Sequence, residues 1–250
     1  MEKNVLLTIS YDGTPFHGWQ RQPDAVTVQG EIERVLSVLC AMPVQVNGTS
    51  RTDAGVHALA QRASFCGDFA IPVENLQRAM NDMLPGSIRI VRAEEKPAGF
   101  HARFDCRGKK YIYQIVNSRV RSPFRRNYCY YVERELDIEK MRLAAGFIEG
   151  RHDFKCFQAA GGEEKETTVR TISGISLEEV ALAEGRGIRI HVSGDGFLYN
   201  MVRIISGTLV DVGLGKIEPQ QMKDIIESGD RTRAGHTAPA RGLYLAEVYY

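Results

Sequence analysis

No stretch of this 250-residue sequence approaches the roughly 18 consecutive apolar residues that a membrane span needs. It does not open like a secretory leader either, since Met1-Glu-Lys-Asn gives way to one short apolar stretch before Ser10-Tyr-Asp-Gly. A cytoplasmic protein with no membrane partner is therefore the expectation. The five cysteines are an odd number, widely spaced, with no C-x-x-C pair, and H-E-x-x-H is absent. Neither a disulfide framework nor a zinc site has a signature, so buried free thiols and no metal are expected. A large net charge is missing as well: the total is +1.

What charge there is lies unevenly. Between His101 and Arg126 stand eight basic residues (Arg103, Arg107, Lys109, Lys110, Arg119, Arg121, Arg125, Arg126) against Asp105 alone, a local +7 that leaves −6 for the rest. Such asymmetry suggests a polyanionic partner, although a charge run is usually a solvated face. Interleaved Tyr111, Tyr113, Phe124, Tyr128, Tyr130 and Tyr131 strengthen the first reading, because bases stack on rings while arginines meet phosphates.

At 43% hydrophobic and 25% charged, the chain can bury one large core or two ordinary ones. Apolar spacing predicts strands at Val5–Ile9, Val44–Val46, Ala58–Phe65 and Ile88–Val91. It predicts helices from the Thr27 cap to Cys40 and from Pro72 to Pro85-Gly86. The order β-α-β-β-α-β then repeats. Strands are expected at Lys110–Val116, Tyr128–Val132, Val169–Leu177, Ile188–Val192 and Leu243–Tyr249, with helices from Asp137 to Gly150, from about Leu198 to Val212, and from Pro219 to Gly229. The fold class expected is α+β: two ferredoxin-like (split β-α-β) domains, residues 1–106 and 107–250, with mainly antiparallel sheets and a central cleft.

Two places carry chemistry out of keeping with their surroundings. Arg51-Thr-Asp53-Ala-Gly55-Val-His57 interrupts two β-type runs. A turn carboxylate is the bland account of Asp53. An aspartyl-phosphatase reading of Tyr11-Asp12-Gly13-Thr14 fails, because Ser10 occupies the nucleophile's position. Arg203, within "GFLYNMVRIISGTLV" (196–210), is a guanidinium in an apolar helix that must snorkel or find a carboxylate. An Arg beside a buried Asp would keep the latter ionised for covalent attack.

"NGTSRTDAGVHALAQ" (47–61) resembles the catalytic signature of the pseudouridine synthases, in the form of the TruA-type tRNA pseudouridine(38–40) synthases. "YDGTPFHGWQRQ" (11–22), "FHARFDCRGKKYIYQI" (100–115), "GFLYNMVR" (196–203) and "APARGLYL" (238–245) resemble further motifs of that family, in the family's order. Ser50 departs from the glycine common before Arg-Thr-Asp, and Tyr199-Asn200 from a common Arg-His pair.

The resemblance implies isomerisation of uridine to pseudouridine in the tRNA anticodon arm (positions 38, 39 and 40) by a homodimer, with no cofactor. It implies Asp53 as nucleophile, Arg203 as its salt-bridge partner, and Tyr111 against the target base. Leu243 or Leu245 would form an apolar floor, and Arg51 would enter the space left by the flipped nucleotide or hold its phosphate. Arg103, Lys109 and Lys110, with Phe100-His101, would meet the RNA backbone, and Arg231, Arg233 and Arg241 would form a second basic cluster. His57 is expected to fix the loop by hydrogen bonding. The alternatives are a non-catalytic RNA-binding protein of two RRM-like modules, against which no RNP1 pattern is found, and a glycoside hydrolase, which wants a second carboxylate.

Overall fold

Asn4 to Ile9 are buried without interruption, so β1 (Lys3–Tyr11) is a strand covered on both faces. After it come α1 (Val28–Leu39), β2 (Asn47–Gly48), β3 (His57–Gly67), α2 (Val73–Met83) and β4 (Ile88–Lys96). The computed structural model describes residues 2–162, 166–183 and 185–250. These divide into two compact units, Met1–Arg107 with Tyr244–Tyr250, and Gly108–Leu243.

In the first unit β1 lies between β3 and β4, antiparallel to both, and β2 pairs with β3. Helix α1 starts where Thr27 accepts the Gly30 amide, and it buries Val28, Ile32, Val35 and Leu36. Each such side chain contributes about 1.5–3 kcal/mol when taken from water. The strand expected at Val44–Val46 does not form. Side chains of α1 satisfy its backbone instead: Ser37 accepts the Val44 amide at 3.0 Å, Glu33 accepts the Val46 amide at 3.0 Å, and Gln29 donates to the Val46 carbonyl at 3.1 Å. Ladder pairing begins only at Asn47.

The second unit runs β5 (Gly108–Asn117), β6 (Tyr130–Val132), α3 (Ile138–Gly146), β7 (Gly150–Asp153), β8 (Val169–Leu182), β9 (Gly185–Gly194), α4 (Met201–Gly213) and α5 (Gln221–Ser228). Strands β5, β9, β8 and β7 are antiparallel neighbours in that order, and β6 adds in parallel to β5. Alternation along β9 is clean: Ile188, Ile190 and Val192 are buried, while Arg189 and His191 meet Glu178 of β8 on the other face. Asp137 caps α3 as expected, but the helix stops at Gly146; Gly150, with φ +110°, opens the unanticipated β7. Helix α4 begins after Asn200 rather than at Leu198.

The last strand, β10 (Leu243–Tyr249), returns the chain to the first unit, where Tyr244 and Leu245 pair in parallel with His57 and Ala58 of β3. The architecture is mixed α/β with mainly antiparallel strands. No helix among the described residues is long and apolar enough to cross a membrane.

Candidate active site

Asp53 stands half-exposed in the loop between β2 and β3, and the residues around it are firmly held. Thr52 is buried, its hydroxyl 2.7 Å from that of Tyr11 and its carbonyl accepting the Trp19 amide at 3.0 Å. The Val56 amide closes the turn on the Asp53 carbonyl at 3.1 Å. On the other side Gln61, 0% exposed, grips Ser50 at both ends: its Nε2 donates to the Ser50 carbonyl at 2.6 Å, and its Oε1 accepts the Ser50 amide at 3.2 Å. The Ser50 hydroxyl, the atom a glycine would lack, is buried with no hydrogen-bond partner among the described residues.

His57 is 1% exposed and accepts the Gly13 amide on Nδ1 at 3.1 Å, with an Asp12 carboxylate oxygen 3.2 Å from the same nitrogen. Its ring stacks on Tyr244, centroids 4.6 Å apart. The imidazole therefore ties the "YDGTPFHGW" segment and β10 to the start of β3. Gly13 matters here because a Cβ on it would lie 2.0 Å from the Val56 carbonyl oxygen, so only glycine lets that segment lie against the Asp53 loop. Leu245, opposite Ala58, is fully buried in this unit.

In the second unit Tyr111 lies on β5, 8% exposed, with Phe197 edge-on to its ring at 5.1 Å and 85°. Leu243, at the start of β10, is buried there too. Arg203 is the only residue of α4 that is not buried; the other twelve are, as expected of a helix that is apolar nearly all round. Its guanidinium does not snorkel loosely but is held by acceptors of its own unit. Nε donates to the Ala238 carbonyl at 2.8 Å, Nη1 donates to the Asn200 side-chain oxygen at 2.6 Å, and its own carbonyl accepts the Ala238 amide at 3.1 Å. Nearby, burial pushes the Tyr113 hydroxyl well above its ordinary pKa against the opposing pull of the Arg203 charge; that hydroxyl donates to the Pro239 carbonyl at 2.8 Å.

The segment 235–238 that presents Ala238 is fastened along α4. The Gly235 amide donates to Thr208 at 2.9 Å, and His236 Nδ1 lies 3.0 Å from Asp211, whose carboxylate also accepts from Lys216 at 2.7 Å. A Cβ on Gly207 would lie 1.8 Å from the His236 carbonyl oxygen, so helix and segment touch backbone to backbone.

The basic stretch is less uniform than its composition suggests. Arg51, Arg103, Arg107, Arg119, Arg121, Arg125 and Arg126 are exposed, and Lys109 and Lys110 are half-buried on β5. Of the interleaved rings, Phe124 and Tyr128 face solvent, whereas Tyr111, Tyr113 and Tyr131 are buried. Arg231 donates to the Gly235 carbonyl at 2.9 Å and to Thr237 at 3.1 Å, and Arg241 donates to the Cys129 carbonyl at 3.2 Å. Those two brace their own unit, while Arg233 is exposed.

Gln61, Thr52 and the Asp211–His236 pair are not among the candidates the sequence offers, and Asn200 enters there only as a departure from a common Arg-His pair. Only Gln61 offers a signal, a polar residue at the inward position of an apolar strand. Asn200, Gly207 and His236 acquire their meaning from contacts that no local spacing announces.

Comparison with known proteins agrees with the resemblance. A family model described as tRNA pseudouridine synthase matches residues 7–105 and 144–250. The chain is 50% identical to tRNA pseudouridine synthase A 2 of Clostridium tetani over 252 aligned positions, covering 100% of both. It is 49% identical to tRNA pseudouridine synthase A of Acetivibrio thermocellus and 50% identical to that of Ruminiclostridium cellulolyticum, covering 99% of this chain and 100% of each relative. With the motif-bearing segments built into the two units described above, and with relatives matched end to end, this chain belongs to the tRNA pseudouridine synthase family, a family of isomerases.

Proposed function

We propose that this protein isomerises uridine to pseudouridine in the anticodon arm of tRNA, at positions 38, 39 and 40, with Asp53 as the nucleophile. The observation that carries the proposal is full-length similarity near 50% to tRNA pseudouridine synthases, joined to a loop whose buried neighbours leave the Asp53 side chain half-exposed. In the reaction the C1′–N1 glycosidic bond breaks, a C1′–C5 bond forms, N1 gains a proton and the C5 hydrogen leaves to water. Atoms balance without any cofactor.

A carboxylate is suited to the covalent step because it attacks while ionised and leaves again when the new bond forms. Arg203 is the guanidinium that stabilises that charge, Tyr111 the ring against the base, and Leu243 and Leu245 the apolar floor. Arg51 meets the space or the phosphate left by the extruded nucleotide, an extrusion that costs a few kcal/mol. Arg103, Lys109 and Lys110 contact the RNA backbone, where each lost phosphate contact would weaken binding and its salt dependence. The reading takes the two halves, 1–106 and 107–250, as ferredoxin-like domains in a cytoplasmic homodimer.

The test is tritium release from tRNA transcribed with [5-³H]uridine. The natural protein is expected to release tritium. Asp53→Asn is expected to lower the rate by about 10³-fold or more, with tRNA binding retained. Binding without release by the natural protein would leave an RNA-binding protein and no synthase.

A further inference from the structure

The guanidinium of Arg203 is held from two sides by groups of its own unit. The Ala238 carbonyl takes Nε and the Asn200 carboxamide takes Nη1, at 2.8 and 2.6 Å. Asn200 does this from an unusual place. It immediately precedes α4 with φ +59° and ψ 8°, in the left-handed region, where asparagine is among the few non-glycine residues found. The turn lets a residue outside the helix fold its side chain back onto the position three residues ahead. The same segment, 196–203, also supplies Phe197, which stands edge-on to Tyr111.

We infer that Asn200 is the positioning residue of Arg203, resting on the synthase reading given above. Two features of the bond support this. An unrestrained arginine samples many rotamers, and acceptors on two different nitrogens restrict them before any substrate arrives. The acceptors are also neutral. A carbonyl and a carboxamide orient the guanidinium without adding a negative charge of their own beside it. A carboxylate at 200 would hold Arg203 at least as firmly, since charge-assisted pairs are shorter and stronger, but it would neutralise it.

That contrast gives the experiment, which uses the full chain, [5-³H]uridine tRNA and thermal unfolding of each variant. Asn200→Gly keeps the left-handed turn without strain and removes only the acceptor. It is expected to lower kcat roughly ten- to a hundredfold, with KM for tRNA nearly unchanged. Asn200→Asp is expected to unfold no earlier than the natural protein and still to lose kcat by a similar factor. A purely structural asparagine would instead tolerate aspartate. In an Arg203→Lys background, which has no Nη1 to hold, Asn200→Gly is expected to cost little more.

Natural kcat in Asn200→Gly or in Asn200→Asp would overturn the inference, as would fully additive losses with Arg203→Lys. An absence of release by the natural protein would overturn the synthase reading itself, and that result is separate from any ranking of the variants.

Discussion

In the first unit the candidate carboxylate stands on a loop, and the bonds described above fall on its neighbours: Thr52 to Tyr11 and Trp19, Ser50 to Gln61, Val56 back to Asp53's own carbonyl. In the second unit the candidate cation stands on a buried helix and its charged group is itself gripped, by Asn200 and Ala238. A nucleophile has to change partners during a reaction, so a loop held firmly through its backbone suits it. A residue that only supplies charge works best when it does not move. Loop and helix thus differ in what the bonds described here hold, the backbone in one and the charged group in the other.

The sharpest way to break this comparison is through the two glycines that admit a carbonyl from the partner segment. Ala is normally the better helix former by about 1 kcal/mol, so Gly207→Ala should stabilise α4 if nothing opposed it. The new Cβ would sit 1.8 Å from the His236 oxygen, with buried helix on its other side. We expect a loss of about 3 kcal/mol, the upper end for overpacking, read from denaturant midpoints, together with loss of activity as Ala238 lifts from Arg203. Gly13→Ala faces the Val56 oxygen at 2.0 Å but lies outside any helix or strand. About 1–2 kcal/mol is expected there. Equal losses, or a stabilised Gly207→Ala, would show that the helix is no more rigidly stapled than the loop.

How much of this was legible in the sequence follows from the range of each interaction. Thr27 and Asp137 announce their helices because capping is settled within three residues. The alternation of Ile188, Ile190 and Val192 announces β9, because the strand period is local. Val44–Val46 misled because its backbone partners, Gln29, Glu33 and Ser37, belong to a helix earlier in the chain. Tyr113 and Tyr131 counted towards a nucleic-acid surface until their burial was known. Asp53, Arg203 and Tyr111 become candidates through the family's motifs; spacing alone makes Asp53 a turn residue and leaves Arg203 to snorkel or find a carboxylate. His236 lies beyond both routes and Asn200 shows only as a departure from the family's common pair, since each matters only through a contact made by folding.

A smaller effect tests the loop side. Gln61→Leu keeps roughly the same volume but leaves the Ser50 amide and carbonyl buried without their partner. Unpaired buried groups cost about 1–3 kcal/mol, and a loss near 2 kcal/mol is expected in denaturant. If the loop is held through its backbone, kcat should fall in Gln61→Leu while tRNA binding persists. If binding falls and kcat does not, the Gln61 clamp serves the RNA surface and not the Asp53 turn.

The smallest expected effect separates the two regions by pH. The helix staple includes a charge, Asp211, whereas the Gln61 clamp on Ser50 is a pair of hydrogen bonds between neutral groups. Burial works to raise the Asp211 pKa, but hydrogen bonds from Lys216 and His236 outweigh it and hold the carboxyl below its ordinary 3.8. A carboxyl whose folded pKa is depressed contributes stability that is fully present above its unfolded value and is lost as pH falls through the folded one. Asp211→Asn should therefore be less stable than the natural protein at pH 5 to 6, with the gap narrowing below about pH 3.8. A gap that is constant down to strong acid would mean that Asp211 holds segment 235–238 by shape and hydrogen bonding alone. The second unit's rigidity would then owe nothing to charge, and the contrast between loop and helix would reduce to packing.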